Sequence, residues 1–203
     1  AALHAQEQQI GLSYLLELPA ALAILLAILM LDLVIYTQHM VFHRIPILWR
    51  LHQVHHADPE FDVSTALRFH PLEILLSIGI KIGAVYAIGA PAVSVLLFEI
   101  ILNAAAMFNH GNTRLPLGLD KWLRLIIVTP DMHRVHHSVV PAETNSNYGF
   151  NLPWWDRLFG TYCPEPEGGQ EGFTIGLSEY GQEHQTLGWL LQLPFRKPPE
   201  IDT

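Results

Sequence analysis

The sequence predicts an all-α integral membrane protein with one long transmembrane helix, a transmembrane helical hairpin and a histidine-rich helical cap. Three observations carry this. Of 203 residues, 50% are hydrophobic and 15% charged, with a mean hydropathy of +0.26, too apolar for an ordinary soluble domain. The apolar residues gather in runs near the twenty residues that cross a bilayer core of about 30 Å. Finally, eight of the twelve histidines fall in three tight clusters: His39 with His43, His52 with His55 and His56, and His133 with His136 and His137.

Taken in order, residues 1–13 form an extracytoplasmic segment without Lys or Arg, and the first span runs from Tyr14 to about Gln38. A second apolar stretch from Leu72 to about Gly89 breaks at Gly89-Ala90-Pro91 and resumes from Ala92 to about Phe108. At about 1.5 Å per residue each arm reaches roughly 25 Å, which suits a tight hairpin. Gly79, Gly83 and Ala87 form a small-residue row that would let the arms approach near Ala104 and Ala105. The basic residues Arg44, Arg50, Arg68, Arg114, Lys121, Arg124, Arg134, Arg157, Arg196 and Lys197 follow span one or the hairpin. Under the positive-inside rule these segments are cytoplasmic, and every histidine cluster shares that side. Lys81, inside a hairpin arm, must pair, snorkel or face protein.

Beyond Leu115, Leu119, Trp122, Leu123, Leu125, Ile126 and Ile127 alternate with Asp120, Lys121 and Arg124, the pattern of a helix lying along the interface. Thr129-Pro130 reads as N-cap and first position of the helix bearing His133, His136 and His137. From Pro141 a cap with little regular structure is expected, where Trp154, Trp155, Phe159 and Tyr162 serve as core or interfacial anchor. The domain division is thus residues 1–13, a membrane-embedded histidine domain over 14–162, and an acidic, Pro-rich tail over 163–203.

The net charge of -8 lies mostly late, at Glu165, Glu167, Glu171, Glu179, Glu183, Glu200 and Asp202. Without a basic stripe it gives no support for nucleic-acid binding. Cys163 is single, which excludes an intrachain disulfide, a cysteine zinc site and iron–sulfur ligation. The opening Ala1 reads as a fragment or processed form rather than a signal-peptide precursor.

The first pair is spaced i, i+4 and both triplets i, i+3, i+4, so each cluster projects its imidazoles from one helix face. Imidazoles crowded in this way repel on protonation, and a cation on the neutral nitrogens removes the conflict. Eight ligands exceed a tetrahedral zinc site, and His110 makes nine, enough for two metals once water or substrate oxygen is added. Imidazole suits iron, copper, nickel and zinc alike. Asp32, Tyr36, His39 and His43 form one stripe, and Glu99, Asn103 and His110 a second. Asp32 and Glu99 are therefore expected to accept the distal N–H of ligand imidazoles, with Asn103 and Asp131 as further candidates around the site. His70 opens the hairpin as ligand, supporting residue or helix-start contact, while His4 and His184 are surface histidines.

HxxxH at 39–43 and HxxHH at 52–56 and 133–137 resemble the histidine boxes of the fatty acid hydroxylase superfamily. The strings RFHPLE (68–73), TPDMHRVHH (129–137) and NYGFNLPWWDRLFGTY (147–162) are similar to its bacterial sterol desaturase branch. The likeness covers about residues 20–162. It implies a non-haem di-iron membrane oxidoreductase that uses O2 to hydroxylate or desaturate a sterol, fatty acyl or related lipid. It carries the ligand role onto His39, His43, His52, His55, His56, His133, His136 and His137, with zinc a possible substitute. Where some members have a further HxxxH, Ala106 stands in the first slot before His110. Members also often have another span upstream, which this chain lacks. A bacterial inner-membrane location follows from the branch resembled.

With no GxGxxG and no cysteine set, electrons are expected from a separate ferredoxin or cytochrome b5-like donor with its reductase. Arg114, Lys121, Arg124 and Arg134 are candidates for its docking surface or for headgroup contact. Three rival readings keep different chemistry: a metal or proton transporter, a zinc-dependent membrane hydrolase, and a metal-binding scaffold.

Overall fold

The structure is a computed structural model in which residues 1–180 and 186–197 are described. His184, Glu183, Glu200 and Asp202 lie outside the described residues.

Two short helices, α1 (Ala2–Glu7) and α2 (Leu12–Leu15), precede the long α3 (Ala20–Arg44). The first span therefore starts and ends later than the apolar run suggests. Glu17 adopts a left-handed φ of 50° and Pro19 follows it, so the run is cut before Ala20. At the other end Ile45 is extended because Pro46 follows, which closes α3 at Arg44 and opens α4 (Pro46–His56) with proline in its first turn. As a result His39 and His43 stand on the last two turns of the spanning helix itself.

After a 3-10 turn (Val63–Leu67), the hairpin is α5 (Pro71–Ile88) and α6 (Ala92–Asn109). Its tight turn depends on Gly89, whose φ of 70° favours glycine, and Ser13 Oγ donates to the Gly89 carbonyl at 2.5 Å. A Cβ at Gly11 would lie 2.1 Å from the Gly89 nitrogen, so α1 and α2 cross this end with no room to spare.

α3, α5 and α6 are long and apolar enough to cross a membrane, and the protein is an integral membrane protein. Ala27, Leu31 and Ile35 of α3 pack on Val85 and Ile88 of α5 and Phe98 of α6. Most other apolar side chains of the hairpin, including Leu75, Ile82, Leu96 and Ile100, face outward. Between helices in lipid there is little hydrophobic drive, so this narrow seam holds by close packing. The small-residue row does not contribute, because Gly79 and Gly83 have nothing within 4 Å of a built Cβ and face away from the seam.

The cap continues through α7 (Leu117–Leu123), α8 (Pro130–His136), α9 (Pro141–Thr144), α10 (Trp154–Phe159), α11 (Gly169–Gly172) and α12 (Leu187–Gln192). Leu119, Trp122, Leu125 and Ile126 are exposed, as an interfacial helix requires. Thr129 does precede α8, but its side chain makes no cap bond and its buried hydroxyl has no partner. Part of the expected tail is docked: Trp189 and Leu193 pack on Val54 and Ala57, and Arg50 Nε donates to the Pro194 carbonyl at 2.5 Å.

Candidate metal centre

The C-terminus of α3, the N-terminus of α5 and the C-terminus of α6 lie at the same end of the helical layer, where α4 and α8 cross them. Their histidines form two sets. His39, His43, His52, His56 and His136 offer one nitrogen each within 4.8 Å of one another, and His55, His110, His133 and His137 do the same. These nine are the expected ligand residues, and each HxxHH motif divides its histidines between the two sets.

Hydrogen bonds orient the rings. His39 Nδ1 lies 2.8 Å from the Tyr148 carbonyl, His136 Nδ1 2.7 Å from the Ser146 carbonyl and His110 Nδ1 2.7 Å from the Ala106 carbonyl. A carbonyl only accepts, so each Nδ1 carries the proton and each Nε2 a lone pair. His52 Nδ1 donates to Glu73 Oε1 at 2.6 Å, which sets its tautomer in the same way.

In neutral rings, the lone pairs of His39 Nε2 and His52 Nε2 then face one another at 3.1 Å. His110 Nε2, its lone pair fixed by the bond at Nδ1, sits 3.2 Å from His55 Nε2 and 3.0 Å from His133 Nε2. Opposed lone pairs at that distance repel, whereas nitrogens about 2.1 Å from a shared ion and at right angles stand about 3.0 Å apart. Both ring nitrogens of His43, His56 and His137, and one each of His55, His133 and His136, are buried without a partner. Each such atom costs roughly 1–3 kcal/mol, and an ion would relieve one nitrogen of each ring that ligates it. The residues therefore fit a pair of metal ions.

Burial disfavours the charged ring. It pushes His136 down to about 3 and His110 down to about 4, and it holds His55, His56, His133 and His137 well below the usual histidine range, their neighbouring imidazoles adding to the effect. Neutral imidazole is the form that ligates.

The remaining candidates lie apart from the imidazoles. Asp32 shares the buried stripe with Tyr36 and His39, but its oxygens accept from Asn151 Nδ2 and Trp155 Nε1, both at 2.8 Å, which ties α10 to α3. Glu99 pairs with Lys81 at 2.6 Å, and Asn103 donates to the Glu99 carbonyl. His110, at the end of α6, is fully buried, whereas Asn103 is exposed and Glu99 half-buried, so the three do not share one environment. Asp131 pairs with Arg134 at 2.7 Å. His70 accepts from the Leu72 N–H and so caps α5.

Among the described residues, the carboxylate that hydrogen-bonds to an imidazole is Glu73, which sequence reasoning left unassigned although it ends the RFHPLE string. Asp156 was also unassigned. It accepts from the backbone N–H groups of Tyr148 and Gly149, both at 2.8 Å, and from Thr161 at 2.6 Å, and burial still pushes it up to about 6. It thereby fixes the loop whose Tyr148 carbonyl holds His39. Of the basic docking candidates, Arg134 is buried, Arg114 pairs with Glu171 and Arg124 pairs with Asp120, while Lys121 is exposed.

A cavity of about 290 Å³ between α3, α5 and α6 reaches this centre from the membrane side, lined by Ile35, Phe42, Ile74, Leu102 and Phe150 and ending at His39, His52 and Glu73. A second cavity, about 240 Å³, reaches His43 from the cap beside Trp49 and Ser138.

The sequence profile of the fatty acid hydroxylase family matches residues 24–161. Ornithine lipid hydroxylase OlsE of Rhizobium tropici is 34% identical over 158 residues, covering 77% of this chain and 47% of the relative. Alkylglycerol monooxygenase of Danio rerio is 37% identical over 168 residues, 76% of this chain and 34% of the relative. Human cholesterol 25-hydroxylase is 24% identical over 140 residues, 68% and 50% respectively. The chain thus spans about a third to a half of the length of these relatives. No solved structure matches it. With a family match across all three histidine motifs and the spans that carry them, the chain belongs to the fatty acid hydroxylase family.

Proposed function

We propose that this protein is an O2-dependent, non-haem di-iron membrane oxidoreductase that hydroxylates a C–H bond of a lipid, with electrons from a separate ferredoxin or cytochrome b5-like donor. The observation that carries the reading is the opposed lone pairs of His39 and His52 at the inner end of the membrane-facing cavity. Relatives whose names specify lipid hydroxylases and monooxygenases support the reaction class.

An unactivated lipid C–H bond has no acidic proton and no leaving group, so side-chain acids and bases cannot cleave it. When bound, a pair of iron ions supplies the redox chemistry that couples O2 reduction to C–H oxidation. The chain's own residues do the rest. The two histidine sets would hold the ions, and Glu73, with the Tyr148, Ser146 and Ala106 carbonyls, would keep His52, His39, His136 and His110 presenting Nε2. Phe42, Phe69 and Phe150 wall the cavity and exclude water from the reacting carbon. The lipid enters sideways from the bilayer, and the histidine end of the helices faces the cytoplasm of a bacterial inner membrane, consistent with the bias of Lys and Arg.

The transporter reading requires ligands near mid-bilayer on several spans, whereas these histidines gather at one end. The test uses the full-length protein in lipid nanodiscs, loaded with iron and given a chemical reductant and 18O2. A lipid alcohol carrying the label is expected. No labelled product from protein holding two irons, or product formed without O2, refutes the proposal.

A further inference from the structure

Lys81 and Glu99 form an ion pair at 2.6 Å between the two arms of the hairpin, well inside the spans. Charges there are expensive even when paired. The hairpin has no evident need of them, because α5 and α6 already pack through Val85, Ile88 and Phe98. Their position suggests another use. Glu73, Ser77 and Lys81 are spaced i, i+4, i+8, and all three line the membrane-facing cavity. They make a polar stripe along one wall. It begins at the carboxylate that holds His52, continues through Ser77, which receives the Gln38 amide at 2.5 Å, and ends at the Lys81 ammonium. Eight residues of helix separate the backbones of Lys81 and Glu73 by about 12 Å along the axis.

We infer that Lys81, held by Glu99 from outside the cavity, is the polar far end of the lipid cavity and selects a lipid with a hydroxyl or carbonyl oxygen on its hydrocarbon portion, about 12 Å of helix length from the carbon presented to the histidines. This rests on the lipid-oxidising function proposed above. An ammonium has three N–H donors and Glu99 takes one, so a neutral oxygen can accept another in place of water. A plain hydrocarbon chain leaves those donors unsolvated. A carboxylate or phosphate is disfavoured, because Glu99 already neutralises Lys81 and a second anion would leave net charge in hydrocarbon.

The test compares two probes, a single-chain monoglyceride and its mid-chain hydroxylated analogue, by equilibrium binding to the full-length, metal-loaded protein in nanodiscs. One hydrogen bond to a charged donor predicts a preference of about tenfold or more for the hydroxylated probe. In the neutral Lys81→Met/Glu99→Gln double variant that preference is expected to vanish, with metal content unchanged and the plain probe bound as well or better. Equal binding of the two probes by the unsubstituted protein overturns the inference without needing the variant. So does a preference that survives in the variant, which would leave the pair a hairpin fastener. If the metal-loaded protein binds and oxidises both probes equally, only the selectivity claim falls; if it binds neither, the lipid-oxidising function falls with it.

Discussion

Replacing Glu73 with Gln tests how the centre is built. The carboxylate accepts a bond of 2.6 Å from His52 Nδ1, and both side chains are buried. Gln keeps an oxygen that can accept the same proton but removes the negative charge that would offset two cations bound by neutral rings. Loss of such a supporting partner typically weakens metal binding 10–100-fold, about 1.4–2.7 kcal/mol. Glu73→Ala also leaves His52 Nδ1 buried and unpaired, adding roughly 1–3 kcal/mol. The order of metal affinity is therefore native, then Gln, then Ala. It is measured by competition with a chelator of known affinity, on detergent-solubilised protein whose helicity is checked in parallel. Affinities within twofold of native for both variants would refute the idea that Glu73 supports the site through His52.

Other predictions probe the scaffold. Asp32→Ala strands Asn151 and Trp155, and should lower stability by about 2–4 kcal/mol and shift the tryptophan emission; an unchanged unfolding curve would contradict the clamp. At Gly149 a Cβ would meet Asp156 Oδ2 at 2.8 Å and the Leu152 carbonyl at 2.9 Å. Gly149→Ala should therefore cost about 1–3 kcal/mol and loosen metal binding through the Tyr148 carbonyl, whereas native stability and affinity would show that the loop has slack. For the metal-free protein, folded-state histidine values below 6.5 mean that the unfolded chain takes up protons first. Stability is then fully present above about pH 6.5 and falls toward about pH 4 for His110 and about 3 for His136. The slope is about 1.4 kcal/mol per pH unit for each ring that stays neutral in the fold. Asp156, raised to about 6, opposes this between about pH 6 and 3.8 but is outnumbered. Thermal unfolding that is flat or rises on acidification from pH 6.5 to 4.5 would contradict it.

The spans and histidine motifs were legible because hydropathy and helical spacing are local properties of the chain. How the histidines divide into two sets was not. Each HxxHH motif splits, His52 and His56 going with His136 while His55 goes with His133 and His137, and that division depends on how α4 and α8 cross. Asp32 and Glu99 are conspicuous in the sequence as charges in apolar runs, but that cost alone does not name a partner. Asp32 found the indole of Trp155 and the amide of Asn151, both more than a hundred residues away, and Glu99 found Lys81 across the hairpin. Glu73 was easy to overlook because a carboxylate in the first turn of a helix already has a local explanation, complementing the helix dipole. The first span was misplaced at its start because a hydropathy run does not register a single left-handed residue, Glu17, ahead of a proline.

Two ions sharing one pocket of imidazoles are what the proposed chemistry requires. Metal analysis of the full-length protein, combined with anomalous scattering from its crystals, measures this directly. Two ions per chain are predicted, one among His39, His43, His52, His56 and His136 and the other among His55, His110, His133 and His137. A single ion, or ions bound elsewhere with these rings unligated, would contradict it.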